Sequence, residues 1–114
     1  MSHGGIALGA RGERMATAWY EHNGYTVVAR NWRCDVGEID LVVRRGSLLV
    51  IAEVKTRASD RFGVPAHAVG IAKQRKLRRL AAVWLATTGA YYDEVRFDVV
   101  SIIGNEIEVI PAAF

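Results

Sequence analysis

Apolar positions recur with two different periods along the chain, and the switches between those periods mark its elements. From Ala10 to His22, Met15, Ala16 and Trp19 follow one helix face, with Gly24 placed to stop the helix. Tyr25 to Trp32 carries the β-branched run Thr26, Val27 and Val28 and reads as a strand, followed by a short connection from Cys34 to Gly37. From Gly37 to Arg57 two runs rich in Val, Ile and Leu flank Arg45-Gly46, the pattern of a β-hairpin. Ala58 to Gly70 is polar and broken by Gly and Pro, a surface loop that Phe62 would anchor and in which His67 has no assigned role. Helical period returns from Ile71 to Thr88, where Leu77, Leu80, Ala81, Trp84 and Leu85 form a stripe and Gly89 ends it. Val95 to Ile103 and Glu106 to Ile110 are strands joined by Gly104-Asn105. Residues 1–9 are small and Gly-rich, expected as a mobile segment before one domain spanning 10–114. The order α-β-β-β-α-β-β predicts an α/β fold, a mixed central sheet flanked by helices.

Four charges interrupt the apolar hairpin: Glu38, Asp40, Glu53 and Lys55. Side chains alternate faces along a strand, so Glu38 and Asp40 share a face, as do Glu53 and Lys55. A two-residue turn at Arg45-Gly46 pairs Arg44 with Ser47 and sets Glu38 opposite Glu53 and Asp40 opposite Ile51. Three carboxylates and one ammonium then converge. Like charges opposite each other destabilise a sheet. Hard divalent cations, which prefer carboxylate oxygens, would relieve them. The alternative is a solvated face carrying a Glu–Lys ion pair. Apolar Ile39, Leu41, Val43, Leu48, Val50, Ala52 and Val54 on the other face favour the metal, as do Leu49 and Ile51 on the charged one.

Asp40, a gap, then Glu53-Val54-Lys55 resembles the Asp…(Asp/Glu)-x-Lys signature of restriction-endonuclease-like nucleases. Ile39 stands where that signature has Pro, a residue that supplies no ligand. The fuller strings Gly37-Glu38-Ile39-Asp40-Leu41, Glu53-Val54-Lys55-Thr56-Arg57, Arg30-Asn31-Trp32-Arg33 and Arg96-Phe97-Asp98-Val99-Val100 resemble the YraN-type family. These are small bacterial proteins similar in fold to archaeal Holliday junction resolvases. The resemblance runs from about Gly9 to Ile103. It implies a Mg²⁺- or Mn²⁺-dependent DNA endonuclease acting on branched or structured DNA, and a homodimer would suit paired cuts across a junction. Asp40 and Glu53 would hold the metal with the Val54 carbonyl, and Lys55 would position the attacking water and steady charge on the phosphate. Glu38 would be an outer carboxylate. Glu13, in the first turn of the expected helix, would be an accessory ligand; by itself it reads as a solvent-facing residue.

Composition narrows the class further. Apolar residues make up 51% of the 114 residues, which excludes disorder and suffices for one core. No apolar run reaches the roughly 20 residues of a membrane span, and no signal-peptide pattern opens the chain. The single cysteine, Cys34, forms no intrachain disulfide and no cysteine-based zinc site, consistent with a reducing cytoplasm. The net charge of +3 is modest. Its distribution is not: Lys73, Arg75, Lys76, Arg78 and Arg79 cluster, and Arg44, Arg45, Arg57 and Arg61 flank the acidic hairpin. Such a rim suits a polyanion, with Arg57, Lys73, Arg75, Lys76 and Arg79 as phosphate contacts. Asp98 reads as a structural partner for Arg96 or Lys73. Two rival functions remain: a nucleic-acid-binding module with little activity of its own, and a protein-interaction domain that meets a partner through the hairpin.

Overall fold

The structure is a computed structural model that describes the backbone of residues 2–58 and 69–114 and the side chains of residues 8–58 and 69–114. Most of the expected loop, with Arg61, Phe62 and His67, lies outside the described residues. The elements are α1 (Ser2–His22), β1 (Thr26–Cys34), β2 (Gly37–Arg45), β3 (Leu48–Arg57), α2 (Ile71–Thr88), β4 (Glu94–Ile103) and β5 (Glu106–Ile110). The five strands form one sheet in sequence order, antiparallel except for the central β3–β4 pair. That parallel pair is joined through α2, as a parallel connection requires. The fold class and element order match the sequence expectation. Helix α1 starts eight residues before the predicted Ala10, because Ser2–Ala10 continues the same helix.

Each face of the sheet carries a helix and a core. Ala16 and Tyr20 of α1 pack with Tyr25, Leu41, Val43, Val50, Ala52, Val100 and Ile102. Leu77, Leu80, Ala81 and Trp84 of α2 pack with Ile39, Val42, Leu49, Ile51 and Phe97. The α2 stripe is the one the helical period predicts. It ends at Gly89, whose φ of 68° lets its amide cap the Leu85 carbonyl at 2.9 Å.

Two local features bring the helices and strands close. Gly12 lies so near β3 that a Cβ there would collide with the Thr56 side chain. This lets α1 descend onto β3 next to Glu13. Further along α1, the Tyr20 hydroxyl donates to Asp98 Oδ2 at 2.7 Å. Asp98 is fully buried, and Arg96 grips it through Nε at 2.8 Å and Nη2 at 2.9 Å. The Ala112 amide also donates to it, and Arg96 Nη2 donates to the Tyr25 hydroxyl. Of the two partners expected for Asp98, the structure selects Arg96; Lys73 is elsewhere. Burial, with the Asp98 charge second, raises the Tyr20 pKa, so the hydroxyl stays a donor.

Tyr20→Phe removes one hydrogen bond to a charged group and should cost about 1.5–3 kcal/mol. Asp98→Ala strips Arg96 of its carboxylate and should cost more, about 3–5 kcal/mol. Urea denaturation ranks the two; an Asp98→Ala loss no larger than that of a surface substitution would show the network to be idle.

Candidate metal centre and nucleic-acid interface

The β2–β3 turn is Gly46-Ser47, one residue later than the Arg45-Gly46 expected, so Arg45 pairs with Leu48 and Arg44 with Leu49. Gly46 has φ of 60° at the first central position, the sign that a II′-type two-residue turn requires there. The shift moves the register by two, which preserves parity. Its continuation sets Asp40, rather than Glu38, against Glu53. The ladder itself stops at Leu41–Ala52. Beyond it the strands part, while β3 stays paired with β4 through Arg57.

Asp40 occupies the gap. Its Oδ2 accepts the Val54 amide at 2.8 Å, replacing the backbone acceptor that β2 no longer supplies. The amide and carbonyl of one strand residue point to the same edge, so the Val54 carbonyl faces the gap as well. Strand geometry explains the parting. Val28 bulges out of β1, and Asn31 adopts φ of 50° within the stretch that faces Asp40. As a result Ala29 and Trp32, three positions apart, join the same core, and so do Ile39 and Val42 opposite them. Strict alternation would have separated them. The reversal of faces falls at Asn31 and Asp40.

This reversal sorts the four hairpin charges differently from the simple alternation. Glu38 lies beyond it and meets Arg33 Nε at 3.6 Å; it does not join Asp40 and Glu53. The three-carboxylate convergence on β2 and β3 is corrected to two. Glu13 approaches from α1 instead, held through Oε1 by the Asn31 side-chain amide at 3.1 Å. Glu53 is on the α2 side, where the Lys73 ammonium lies 3.2 Å from its Oε2. Lys55 and Arg57 follow Glu53 on alternate positions of β3 and so share its face.

Asp40 reports on this crowding. Its pKa is raised from 3.8 to about 7. Burial is the main cause, offset in part by the Val54 amide and reinforced by the charges of Glu53 and Glu13 and a hydrogen bond with Glu53. A buried carboxyl that resists ionising, with a second carboxylate beside it, is a set that a divalent cation fits. Among the described residues no three His, Cys, Asp or Glu side chains cluster as ligands. A cation in the gap would therefore rest on Asp40 and Glu53, with the Val54 carbonyl as a further donor.

Two clefts are lined by basic side chains. One, of about 480 Å³, is lined by Arg75, Lys76 and Arg79 of α2 against Asp35 and Val36 of the β1–β2 turn. Gly37 lies beneath the Lys76 stem, where a Cβ would stand 2.7 Å from Cε. Of the α2 cations, Arg78 alone turns the other way, stacking over Phe97 at 4.8 Å and Phe114 at 5.4 Å. The other cleft, of about 400 Å³, is lined by Ala10, Glu13, Arg14, Arg30 and Asn31. Arg14, Arg30 and Asn31 were given no role from the sequence; Arg30 and Asn31 stood only within a family-like string, and Arg14 only next to Glu13.

Fold and site together define an α/β protein with a carboxylate pair set in a parted hairpin and with basic clefts on its surface. Comparison with known proteins places the chain in a family. It belongs to the uncharacterised protein family UPF0102, whose profile matches residues 12–102. It is similar to a UPF0102 protein of Beutenbergia cavernae, 56% identical over 97 residues, covering 85% of this chain and 82% of the relative. It is also similar to one of Nocardia farcinica, 46% identical over 97 residues and covering 85% and 76%. A third, of Rhodococcus jostii, is 47% identical over 103 residues, covering 90% and 86%. No helix among the described residues is long and apolar enough to cross a membrane.

The raised Asp40 pKa fixes a pH dependence. Between about pH 4 and about pH 7 the folded state holds a proton that the unfolded chain has lost. Stability should therefore fall as pH rises through that window, by at most about 1.4 kcal/mol per pH unit and less because the group is half-buried. Asp40→Asn keeps an acceptor for Val54 and should remove the fall. Urea midpoints across the window check this; parallel profiles for the two proteins would refute it.

Proposed function

We propose that this chain is a Mg²⁺- or Mn²⁺-dependent DNA endonuclease with a preference for branched or structured DNA. The observation that carries this is Asp40: a carboxylate in a parted ladder, facing Glu53 and Glu13, bound to the Val54 amide, with Lys55 two residues beyond Glu53. A divalent cation held by Asp40, Glu53 and the Val54 carbonyl would lower the pKa of a bound water and shield the phosphate. The residues do the rest. The Lys55 ammonium orients the water and offsets charge that develops on the phosphate oxygens. Arg75, Lys76 and Arg79 hold the backbone along α2, and Arg57 extends that contact from the end of β3. Glu13 adds negative charge at the rim and is kept in place by Asn31. The cytoplasm is the compartment proposed for this chemistry.

The cleft lined by Arg75, Lys76 and Arg79 does not depend on Asp40, which supports a second reading, a DNA-binding module without cleavage. A panel of linear, flapped and four-way DNA incubated with Mg²⁺, Mn²⁺ or EDTA separates the two. Metal-dependent products support the nuclease; salt-sensitive binding with no products supports the module.

Glu53→Gln should abolish cleavage and weaken Mn²⁺ binding while leaving metal-free DNA binding intact. Lys55→Ala should leave Mn²⁺ bound and slow cleavage by about 10²–10³-fold. Calorimetry beside the cleavage assay tests both; full activity in either variant rules out its assigned role. A separate measurement addresses the basic cleft. DNA affinity should fall with salt at a slope of about −0.9 per phosphate contact, and Lys76→Ala with Arg79→Ala should make it shallower. An unchanged slope would put this helix outside the DNA path.

A further inference from the structure

Lys73 stands apart from the other cations of α2. Arg75, Lys76 and Arg79 line the cleft beside the β1–β2 turn, and Arg78 stacks on Phe97 and Phe114. Lys73 turns to the gap, with its Nζ 3.2 Å from Glu53 Oε2. The two ends of this ion pair differ in freedom. The Glu53 side chain is 12% exposed and fixed on the central strand, while that of Lys73 is 43% exposed. A lysine head on a four-carbon stem can leave such a partner without moving its helix.

The pair also meets an electrostatic need. Glu53 lies beside Asp40, and the Lys73 ammonium at 3.2 Å offsets part of its charge. An ammonium and a divalent cation at one carboxylate repel each other. Lys73 therefore holds the position that a metal bound by Glu53 would contest. One helical turn further along α2, Lys76 faces the basic cleft, so an ammonium released from Glu53 stays close to a backbone bound there.

We infer that Lys73 is an exchangeable counter-cation. It neutralises Glu53 while no metal is bound and transfers to a phosphate when a divalent cation takes Glu53. Metal and DNA binding are then coupled through one side chain, and the coupling is reciprocal. This rests on the nuclease reading above, in that Glu53 must be a metal ligand.

The test is calorimetric Mn²⁺ titration of the full chain, alone and with a phosphorothioate duplex that resists cleavage. Without DNA, Lys73→Met should bind Mn²⁺ about threefold to tenfold more tightly than wild type, because no ion pair must break. Lys73→Arg should behave like wild type. The duplex should strengthen Mn²⁺ binding in wild type and do so by a smaller factor in Lys73→Met. Lys76→Ala serves as the contrast, weakening duplex binding with no change in Mn²⁺ affinity alone. Equal Mn²⁺ affinity and equal enhancement by DNA in wild type and Lys73→Met would make Lys73 a static tie. Weaker Mn²⁺ binding in Lys73→Met would make it a prop for Glu53. Either result overturns the exchange and leaves the nuclease reading standing. Wild type that binds neither Mn²⁺ nor duplex would remove both.

Discussion

The site depends on one break in a ladder. β3 is bonded along its whole length to β4, yet β2 releases it after Leu41–Ala52. A buried amide left without an acceptor costs about 1–3 kcal/mol, so strands rarely part without a substitute. Asp40 is that substitute, through its 2.8 Å bond to the Val54 amide. The carboxylate holds the gap open and also fills it with negative charge. Because β4 anchors the far side of β3, Glu53, Val54 and Lys55 stand on a rigid wall, and only β2 bends away. Asn31, with its left-handed backbone, supplies the bend from β1 and then reaches across to Glu13.

The two helices serve this gap in different ways. α1 is locked. Gly12 admits Thr56 to close contact, and Tyr20 is bonded to an Asp98 that Arg96 already holds with two bonds. That network is satisfied on all sides, and it sets the height and rotation at which Glu13 meets β3. α2 is docked chiefly by an apolar stripe, Leu77, Leu80, Ala81 and Trp84. Its polar residues meet different surroundings. The five cations that look like one patch in sequence divide three ways: toward Glu53, toward the cleft of the β1–β2 turn, and onto the aromatic pair Phe97 and Phe114. Modest net charge and strong local charge coexist for this reason.

Much of this was legible in the chain because period is a local property. The α2 stripe and its Gly89 stop, the Gly104-Asn105 turn and the order of elements all follow from spacing. The association of Asp40 with Glu53 followed from parity, which a shift of two preserves. The register itself was missed by placing Gly46 second in the turn; a Gly followed by an ordinary residue fits the first central position better. Glu38 was misplaced for a different reason. Alternation fails at Asn31 and Asp40, and a left-handed Asn leaves no signature in hydrophobic pattern. Tyr20 also escaped the helical stripe, since its hydroxyl made it look amphipathic when its partner, Asp98, is 78 residues away. Glu13 became visible only through family resemblance, because nothing local distinguishes a helix glutamate that faces a sheet from one that faces water.

The energetics of Asp40 bear on why such a hairpin exists. A hairpin selected only for stability would extend the β2–β3 ladder past Leu41–Ala52 and give Val54 a backbone acceptor. It would place an apolar residue at position 40, matching Leu41 and Val43 around it. The chain instead carries a carboxylate whose proton is held to about pH 7 by burial and by neighbouring charge. Ionising that group near neutral pH opposes folding, since the unfolded chain loses the same proton more readily. Groups kept in an unfavourable charge state on a rigid scaffold are concentrated where a protein binds or reacts. A cation entering the gap would recover that cost, and the Lys73 ammonium, 3.2 Å from Glu53 Oε2, already brings positive charge to its edge.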